Sequence, residues 1–294
     1  MNQVYYALTV MCASFTLGAI PTTPTNIKTD PVTISVPLEE THHVVISGGY
    51  QVQIIRGEPK LTLTGLPEQV AQLNVSQDNG KLLLSPKQEE PGFFTRIFDW
   101  RNNDSTQYNI SITIAVPSLK DLTLFSNATA VVTDNLRLNT IELTGVSQLD
   151  LRAAQRSTRL DCLLRGASSL KAVDIGAQSM KLELIGKSIA QVLKINVAKS
   201  YFTKLYGESE FTLGTLNTTN SIIEISGISS YKVGTINCKS NSISLFGGST
   251  FNNDTMHVTD LDITANGSSQ AIAFNLQSED AKVSQAVASL SEDA

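Results

Sequence analysis

The sequence predicts an all-β protein, a single-stranded parallel β-helix (solenoid) with Gly-x-Ser rungs of about 20 residues. Three observations predict it: the motif recurs at a fixed step, apolar residues alternate around it, and strand-favouring Thr, Ser, Val and Ile are abundant. By subtraction the glycine-to-glycine steps are 21, 20, 21, 20, 20 and 20 residues. The seven pairs are Gly145/Ser147, Gly166/Ser168, Gly186/Ser188, Gly207/Ser209, Gly227/Ser229, Gly247/Ser249 and Gly267/Ser269, preceded by a degenerate copy, Asn127/Thr129.

Aligned copies of the repeat carry apolar residues two and four positions before the glycine and four, six and nine positions after it. Because successive side chains of a strand point to opposite faces, these spacings indicate strands. Each rung is therefore predicted as a strand, a glycine corner, a second strand, a short turn and a third short strand. Equivalent residues of successive rungs should stack about 4.8 Å apart. Leucine-rich repeats share the period, but their Leu-x-x-Leu-x-Leu signature and helical side are missing here. The column two before the glycine is Leu143, Leu164, Leu184, Leu205, Ile225, Leu245 and Ala265.

The glycine and the serine of the motif are both interpreted as structural. A tight corner often needs a positive φ, where a Cβ atom is disfavoured, and Asn127 also tolerates that region. The serine has the parity of the core positions, which predicts a buried hydroxyl ladder that donates and accepts along the stack. A catalytic role for these serines is disfavoured, because nothing supplies a base at every rung.

The segments before the regular rungs are assigned from composition. Residues 1–20 form an apolar stretch that predicts a signal peptide, with a retained N-terminal anchor as the alternative. Residues 21–31 are a predicted linker. Residues 32–86 form an irregular β region, interpreted either as the first rungs or as a capping sheet. Within it, Asp78-Asn79-Gly80 indicates a tight turn.

Two further segments interrupt or end the repeat. Residues 87–106 are an aromatic insertion loop and a candidate binding site, unless its rings fold back to plug the end of the rod. Residues 277–294 form a polar, acidic tail, of which residues 281–290 are predicted to be a short capping helix. The insertion's aromatic residues are Phe93, Phe94, Phe98 and Trp100.

Composition limits the classes of function. The chain of 294 residues has a formal net charge of −5 and no basic stripe, which disfavours nucleic acid as a partner. Cys12, Cys162 and Cys238 are interpreted as small apolar side chains, too far apart to form a disulfide. No Cys or His spacing is typical of a metal site, so neither a metal nor another cofactor is predicted.

The order of motifs resembles one known family. Asn79-Gly80-Lys81-Leu82 comes first, Val116-Pro117-Ser118-Leu119 follows, and the Gly-x-Ser strands come last. This order is similar to that of the bacterial GIN-domain family of auto-transporter adhesin heads. The resemblance implies an exported envelope protein, in the periplasm or at the cell surface. It implies a GIN-type β-helix domain over residues 32–276 and brings no catalytic residues.

The first hypothesis on function is an interaction or adhesion module. The column one before the glycine points outward, yet it carries Ile185, Tyr206 and Phe246. An apolar outward column predicts a surface for an envelope or surface partner, either a glycan or a protein, or for self-association.

The alternatives are a polysaccharide-active β-helix enzyme and a purely structural envelope protein. Such enzymes need acidic clusters on one face. Glu142, Glu183 and Glu224 share an outward column but lie about two rungs, ~10 Å, apart. Glu208 and Glu210 share one rung. A solvated face accounts for all of these acids, so we expect no enzyme activity.

Overall fold

The computed structural model describes residues 30–87, 107–284 and 288–290. It confirms the predicted fold, a parallel β-solenoid of about eight turns. Leu164 pairs with Leu184 and Leu184 pairs with Leu205 in successive rungs. All three side chains are fully buried. The predicted signal peptide lies outside the described residues.

The N-terminal region combines the two predicted alternatives. Its elements are β1 Val32–Pro37, β2 His43–Ser47, β3 Gly49–Arg56, β4 Lys60–Gly65, α1 Pro67–Val70, β5 Leu73–Asp78, β6 Lys81–Pro86 and β7 Gln107–Val116. β4 lies antiparallel between β1 and β7, and β5 and β6 form an antiparallel hairpin. At the turn of this hairpin Asn79 and Gly80 have φ values of 49° and 75°, as a tight type I′ turn requires. β2 and β3 instead pair in parallel with strands on both sides, as a first rung.

The regular rungs follow. Their strands are β8 Asp121–Phe125, β9 Thr129–Val132, β10 Thr140–Gly145, β11 Gln148–Leu151, β12 Gln155–Gly166, β13 Ser169–Gly186, β14 Ile189–Gly207, β15 Glu210–Gly227, β16 Ser230–Gly247, β17 Thr250–Gly267, β18 Gln270–Ser284 and β19 Ala288–Leu290. From β13 to β17 one strand runs from one glycine corner to the next. Pairing of β13 with β14 falls into three runs, Ser169–Ala172, Asp174–Ala177 and Ser179–Gly186. These runs are the three predicted sides, with bends of a single residue at Val173 and Gln178.

The core fills the inside of the rod with stacked columns. In the column four after the glycine, the Phe211 and Tyr231 rings stack with centroids 4.8 Å apart. Tyr231 meets Phe251 edge to face at 5.6 Å. Such aromatic pairs add to the stabilisation from apolar burial, so this column is a strong contact between rungs.

The corners hold the glycines in the left-handed region, with φ between 78° and 92° for the seven repeat glycines. The degenerate upstream copy, predicted as Asn127/Thr129, is shifted by one residue. Leu143 pairs with Leu124, so Ser126, with φ 61°, takes the place of the glycine. Asparagine tolerates a positive φ better than serine does, but the register of the stacked strands decides which residue stands at the corner.

The serines of the motif are buried, as their parity predicts, but they do not form the predicted hydroxyl ladder. Each hydroxyl donates to backbone carbonyls instead of to the serine of the next rung. Ser209 Oγ, for example, donates to Tyr206 O at 3.0 Å. For five of the serines an acceptor is a carbonyl of the same corner, and for Ser168 and Ser249 it is a carbonyl of the preceding rung. These carbonyls are nearer than the next serine, about 4.8 Å along the stack. The correction applies to Ser147, Ser168, Ser188, Ser209, Ser229, Ser249 and Ser269.

The C-terminal segment differs from the predicted helix. Residues 281–284 continue β18, and β19 pairs in parallel with Ala271–Ala273. The prediction of a capping helix over residues 281–290 is therefore wrong, and strand pairing extends beyond residue 276. The physical reason is that another strand satisfies N–H and C=O groups at the edge of the last rung.

Candidate functional site

The side of the rod before the glycine corners carries the candidate site. Outward side chains alternate here with the buried columns, so consecutive rungs present a regular grid. Tyr206, Ile222 and Phe246 are 58%, 47% and 46% exposed. We call this surface the Tyr206 face; it comprises Ile185, Phe202, Tyr206, Ile222 and Phe246 with the charged column Glu183, Lys204 and Glu224.

The structure brings together two of the three outward residues singled out in the sequence. Ile185 is the partner of Tyr206 in the adjacent rung. Phe246 lies two rungs from Tyr206, with Ser226 between them, at about 10 Å. Ile228, 75% exposed, lies across the corner on that intermediate rung. The apolar residues therefore follow one edge of the face with one polar interruption.

Two residues of the face were missed from the sequence. Phe202 and Ile222 are register partners in adjacent rungs, in the column five before the glycine. Their outward parity is the same as that of Tyr206 and was the available signal. The apolar residues predicted from the sequence to form a binding surface stand in the column one before the glycine, whereas Phe202 and Ile222 stand in the column five before it.

A charged column runs between the two apolar columns. Glu183, Lys204 and Glu224 are register partners in three successive rungs. Lys204 Nζ lies 3.3 Å from Glu224 Oε2, and Lys181 Nζ lies 3.1 Å from Glu183 Oε1. The Lys181 ammonium is also 6.0 Å from the centroid of the Phe202 ring, within range of a cation–π contact. The face thus offers alternating charge flanked by apolar side chains.

Two of the remaining acids weighed for catalysis, Glu142 and Glu208, lie near cations. Glu142 Oε1 is 3.9 Å from Arg165 Nη1, and Glu208 Oε2 is 2.9 Å from Lys187 Nζ. Within the described ranges no three His, Cys, Asp or Glu residues gather as a metal site would require. The same part of the chain contains no helix long and apolar enough to cross a membrane.

A concave surface, separate from the Tyr206 face, lies at the bend that follows the second side of each rung. It is an open groove of about 770 Å³, with Leu193 65% exposed at its edge. Gly214 and Gly234 are stacked in the same column, where a Cβ atom on Gly234 would meet Gly214 O at 2.7 Å. Close stacking on the preceding rung therefore restricts both of these positions to glycine.

The candidate binding loop of the sequence analysis, with Phe93, Phe94, Phe98 and Trp100, lies outside the described residues. Its role as a binding site stays a prediction. Within the described part of the chain, the Tyr206 face is the surface that combines aromatic rings, aliphatic side chains and charges.

Comparison with known proteins places the chain among adhesin-like folds. Residues 42–200 match the sequence model of the family described as "Putative auto-transporter adhesin, head GIN domain". No curated protein matches the chain.

Solved structures with a similar fold include proteins from two Parabacteroides species. A "putative adhesin" from Parabacteroides distasonis ATCC 8503 has a TM-score of 0.63 and 11% identity, covering 83% of this chain and 98% of that chain. A "putative lipid binding protein" from the same strain has a TM-score of 0.53 and 15% identity, covering 83% and 97%. A "putative adhesin" from Parabacteroides merdae ATCC 43184 has a TM-score of 0.50 and 9% identity, covering 84% and 98%. At these identities the likeness is one of fold.

Proposed function

Because this chain belongs to the GIN-domain family of auto-transporter adhesin heads, we propose that it is a non-enzymatic interaction module of the cell envelope. It is exported, and it acts through the Tyr206 face. Its partner is a surface glycan, a protein or another copy of the chain.

The observation that carries this proposal is the contiguity of the Tyr206 face. Single exposed apolar side chains are normal on a protein surface, whereas clusters of them mark interaction sites. Ile185 adjoins Tyr206, and Phe202 adjoins Ile222, on one side of the rod. Interfaces also favour aromatic side chains at their centres, which agrees with Phe202, Tyr206 and Phe246 on this side. The names of the similar structures, two adhesins among them, agree with a binding role.

The contact surface is tested by photocrosslinking in cells that export the chain. A photoreactive phenylalanine replaces Tyr206, and a matched variant carries it at the exposed Lys194, on another side of the same rung. We expect light-dependent adducts from position 206 and few or none from position 194. Adducts from neither position, or equally from both, would contradict the proposal.

Export is tested by cell fractionation combined with protease treatment of intact cells. We expect the chain in the envelope fraction, and protease sensitivity will distinguish surface display from the periplasm. Recovery in the cytosol, with the residue 1–20 segment still attached, would contradict export.

The enzyme alternative is tested on a panel of envelope and host polysaccharides. We expect no product release by the chain, since four of the acids considered for catalysis each lie beside a cation, namely Glu142, Glu183, Glu208 and Glu224. Activity that disappears in Glu208→Gln would overturn the non-enzymatic assignment. Activity that remains in that variant would indicate a contaminating enzyme or a different site.

A further inference from the structure

The grid of the Tyr206 face is complementary to itself. We propose that this face binds a second copy of the chain in an antiparallel, two-fold symmetric dimer. This inference rests on the proposed function, because it names the partner of the same surface.

The symmetry follows from how rungs and columns are arranged. A two-fold axis in the interface, parallel to the strands, reverses the order of the rungs and leaves each column facing itself. Such an interface is isologous, so every contact occurs twice. We place the axis midway between the rung that ends at Gly207 and the rung that ends at Gly227. Residues of these two register-paired rungs then face each other across the dimer.

Charge complementarity lies at the centre of this arrangement. Lys204 faces Glu224 of the second copy, and Glu224 faces Lys204 of the second copy. Within each chain the two side chains are already 3.3 Å apart. The four groups therefore alternate in sign around the axis, and each charge has opposite charges beside it and across from it. Such patterns set the register of an interface and reject wrong alignments.

The apolar columns match under the same operation. Phe202 faces Ile222 of the second copy. Ile185, one rung below the central pair, faces Phe246 of the second copy, one rung above it. Tyr206 faces the small Ser226. The exposed apolar side chains of the face thus cover one another, and this removes their surface from water.

Charges also meet at the rim of the interface. Arg159, 2.9 Å from Asp161 in its own chain, faces Asp260 of the second copy. Asp161 faces Asp262 of the second copy, so two like charges meet at the exposed edge of the interface. The Arg159 side chain lies beside Asp161 and reduces this repulsion. Rim charges of this kind affect association rates more than affinity.

Other placements of the axis are less favourable. Moving it by half a rung, onto the Gly207 rung, sets Lys204 against Lys204 and Glu183 against Glu224. Moving it by a whole rung toward the N-terminus keeps opposite charges at the centre, with Lys204 against Glu183. The same shift, however, sets Ile222 against Asp161 and Leu163 against Glu224. An axis along the rod would put each rung opposite itself, so that Lys204 meets Lys204 or an apolar ring. The antiparallel register between the two central rungs avoids these oppositions.

The size of the contact indicates a weak, reversible dimer. Six rungs of about seven residues cover on the order of 600 Å² per copy. Stable complexes bury about 800 Å² per partner. We therefore expect dimerisation that depends on protein concentration.

The test uses two charge-reversal variants of the full chain, Lys204→Glu and Glu224→Lys, followed by sedimentation velocity and light scattering. The parent chain should dimerise with rising concentration. Each variant should dimerise about tenfold more weakly or worse, because like charges then face each other at the centre. An equimolar mixture should dimerise again, because position 204 of one variant then faces an opposite charge at position 224 of the other.

The matched control is Lys187→Glu. It makes the same charge change and disrupts the 2.9 Å contact with Glu208, but it lies past the corner, outside the Tyr206 face. This variant should dimerise as the parent does, and circular dichroism should confirm that all variants are folded.

Three results would overturn the dimer: a parent chain that stays monomeric up to its solubility limit, variants that dimerise like the parent, or a mixture that stays monomeric. The crosslinking experiment separates this failure from failure of the proposed function. A monomeric parent whose position 206 still crosslinks to another molecule leaves the interaction role intact. A monomeric parent chain whose position 206 gives no crosslink would contradict both the dimer and the proposed function.

Discussion

Two neighbouring glycines show what a corner requires of a single residue. Gly247 has φ 80°, and a Cβ atom there would lie 3.0 Å from Gly227 O in the preceding rung. Gly248 has no such restriction. A Cβ atom on Gly248 would lie 3.9 Å from its nearest neighbour, Gly227 O. The glycine of the motif is thus needed for both backbone conformation and close stacking, whereas the residue after it is not.

We expect Gly247→Ala to lower the free energy of unfolding by roughly 2 kcal/mol, from left-handed strain and contact with the rung below. Urea unfolding followed by circular dichroism measures this change. Gly248→Ala is the control and should have little effect. Equal effects of the two substitutions would show that the corner geometry is not the reason for the glycine.

The thiols of Cys162 and Cys238 should be unreactive in the folded chain. Burial raises the pKa of Cys238 to about 12 and raises that of Cys162 still further, with the nearby Asp161 carboxylate adding to the shift. Because the thiolate is the reactive form, alkylation by iodoacetamide at about pH 8 should be slower than in urea by tenfold or more. Peptide mass spectrometry measures both rates. Fast labelling of Cys162 in the native protein would contradict its burial.

Stability should fall in alkaline solution for the same reason. The pKa values of Cys162 and of the Tyr201 phenol are raised in the folded state, chiefly by burial. Unfolded thiols and phenols lose their protons near pH 8.5 and 10, so the unfolded state gains from deprotonation first. The contribution of the protonated Cys162 and Tyr201 to the free energy of unfolding is therefore fully present below about pH 8. It is lost as the pH rises further.

Urea unfolding at several pH values measures this decline. Cys162→Ala should flatten it, because one buried acid is gone. A parent chain whose stability is constant up to about pH 10 would contradict the assignment.

At the scale of elements, an asparagine ladder joins β13 to β16. Asn196 Nδ2 donates to Asp174 Oδ1 at 3.2 Å, and Asn217 Nδ2 donates to Asn196 Oδ1 at 2.8 Å. Asn237 Nδ2 donates in turn to Asn217 Oδ1 at 2.8 Å. These side chains are half-buried, and each amide satisfies its neighbour along the stack. The ladder thus adds side-chain bonds to the backbone pairing of adjacent strands.

We expect Asn217→Ala to lower the free energy of unfolding by about 1–2 kcal/mol, because it removes two hydrogen bonds and leaves Asn196 and Asn237 without this partner. Thermal and urea unfolding measure the change. Thr212→Ala, at an exposed position of the same strand, is the control and should be nearly neutral. An Asn217→Ala variant with the same free energy of unfolding as the parent would mean that water fully replaces the lost hydrogen bonds.

At the scale of the whole molecule, the rod is a stack in which each rung contacts mainly its neighbours. Repeats of this kind have stabilities that are close to sums of rung and interface contributions. Gly207 and Gly227 occupy equivalent places in consecutive rungs. Removing the chain between such places should therefore preserve the register of the remaining rungs.

Deletion of residues 208–227 joins Gly207 to Ile228 and removes one rung. We expect a folded rod that is shorter by about 4.8 Å, which small-angle scattering measures. The circular dichroism spectrum should remain that of a β-sheet protein. Deletion of residues 208–217 alone breaks the columns and should prevent folding of the region. Loss of structure in the first deletion would contradict nearest-neighbour stacking.

The parts that were predictable from the sequence depend on spacing along the chain. Leu164 and Leu184 stack because they hold the same place relative to their glycines, and that place is visible in the sequence. The type I′ turn at Asn79-Gly80 has an equally local signal. The C-terminal strand was mispredicted because its partner is the last rung, and a polar segment carries no mark of the edge it will cover.

The period, the glycine corners and the inward columns could be predicted from the amino-acid sequence alone, because each follows from steric limits and side-chain alternation within one rung. Which outward residues are neighbours depends instead on how the rungs stack in the folded chain. Rungs differ by one residue, and the extra residue is absorbed at the bend around residues 198–199, between Val197 and Ser200. The side before each glycine therefore stays in register. That register sets Phe202 beside Ile222 and Lys204 beside Glu224, and so creates the Tyr206 face.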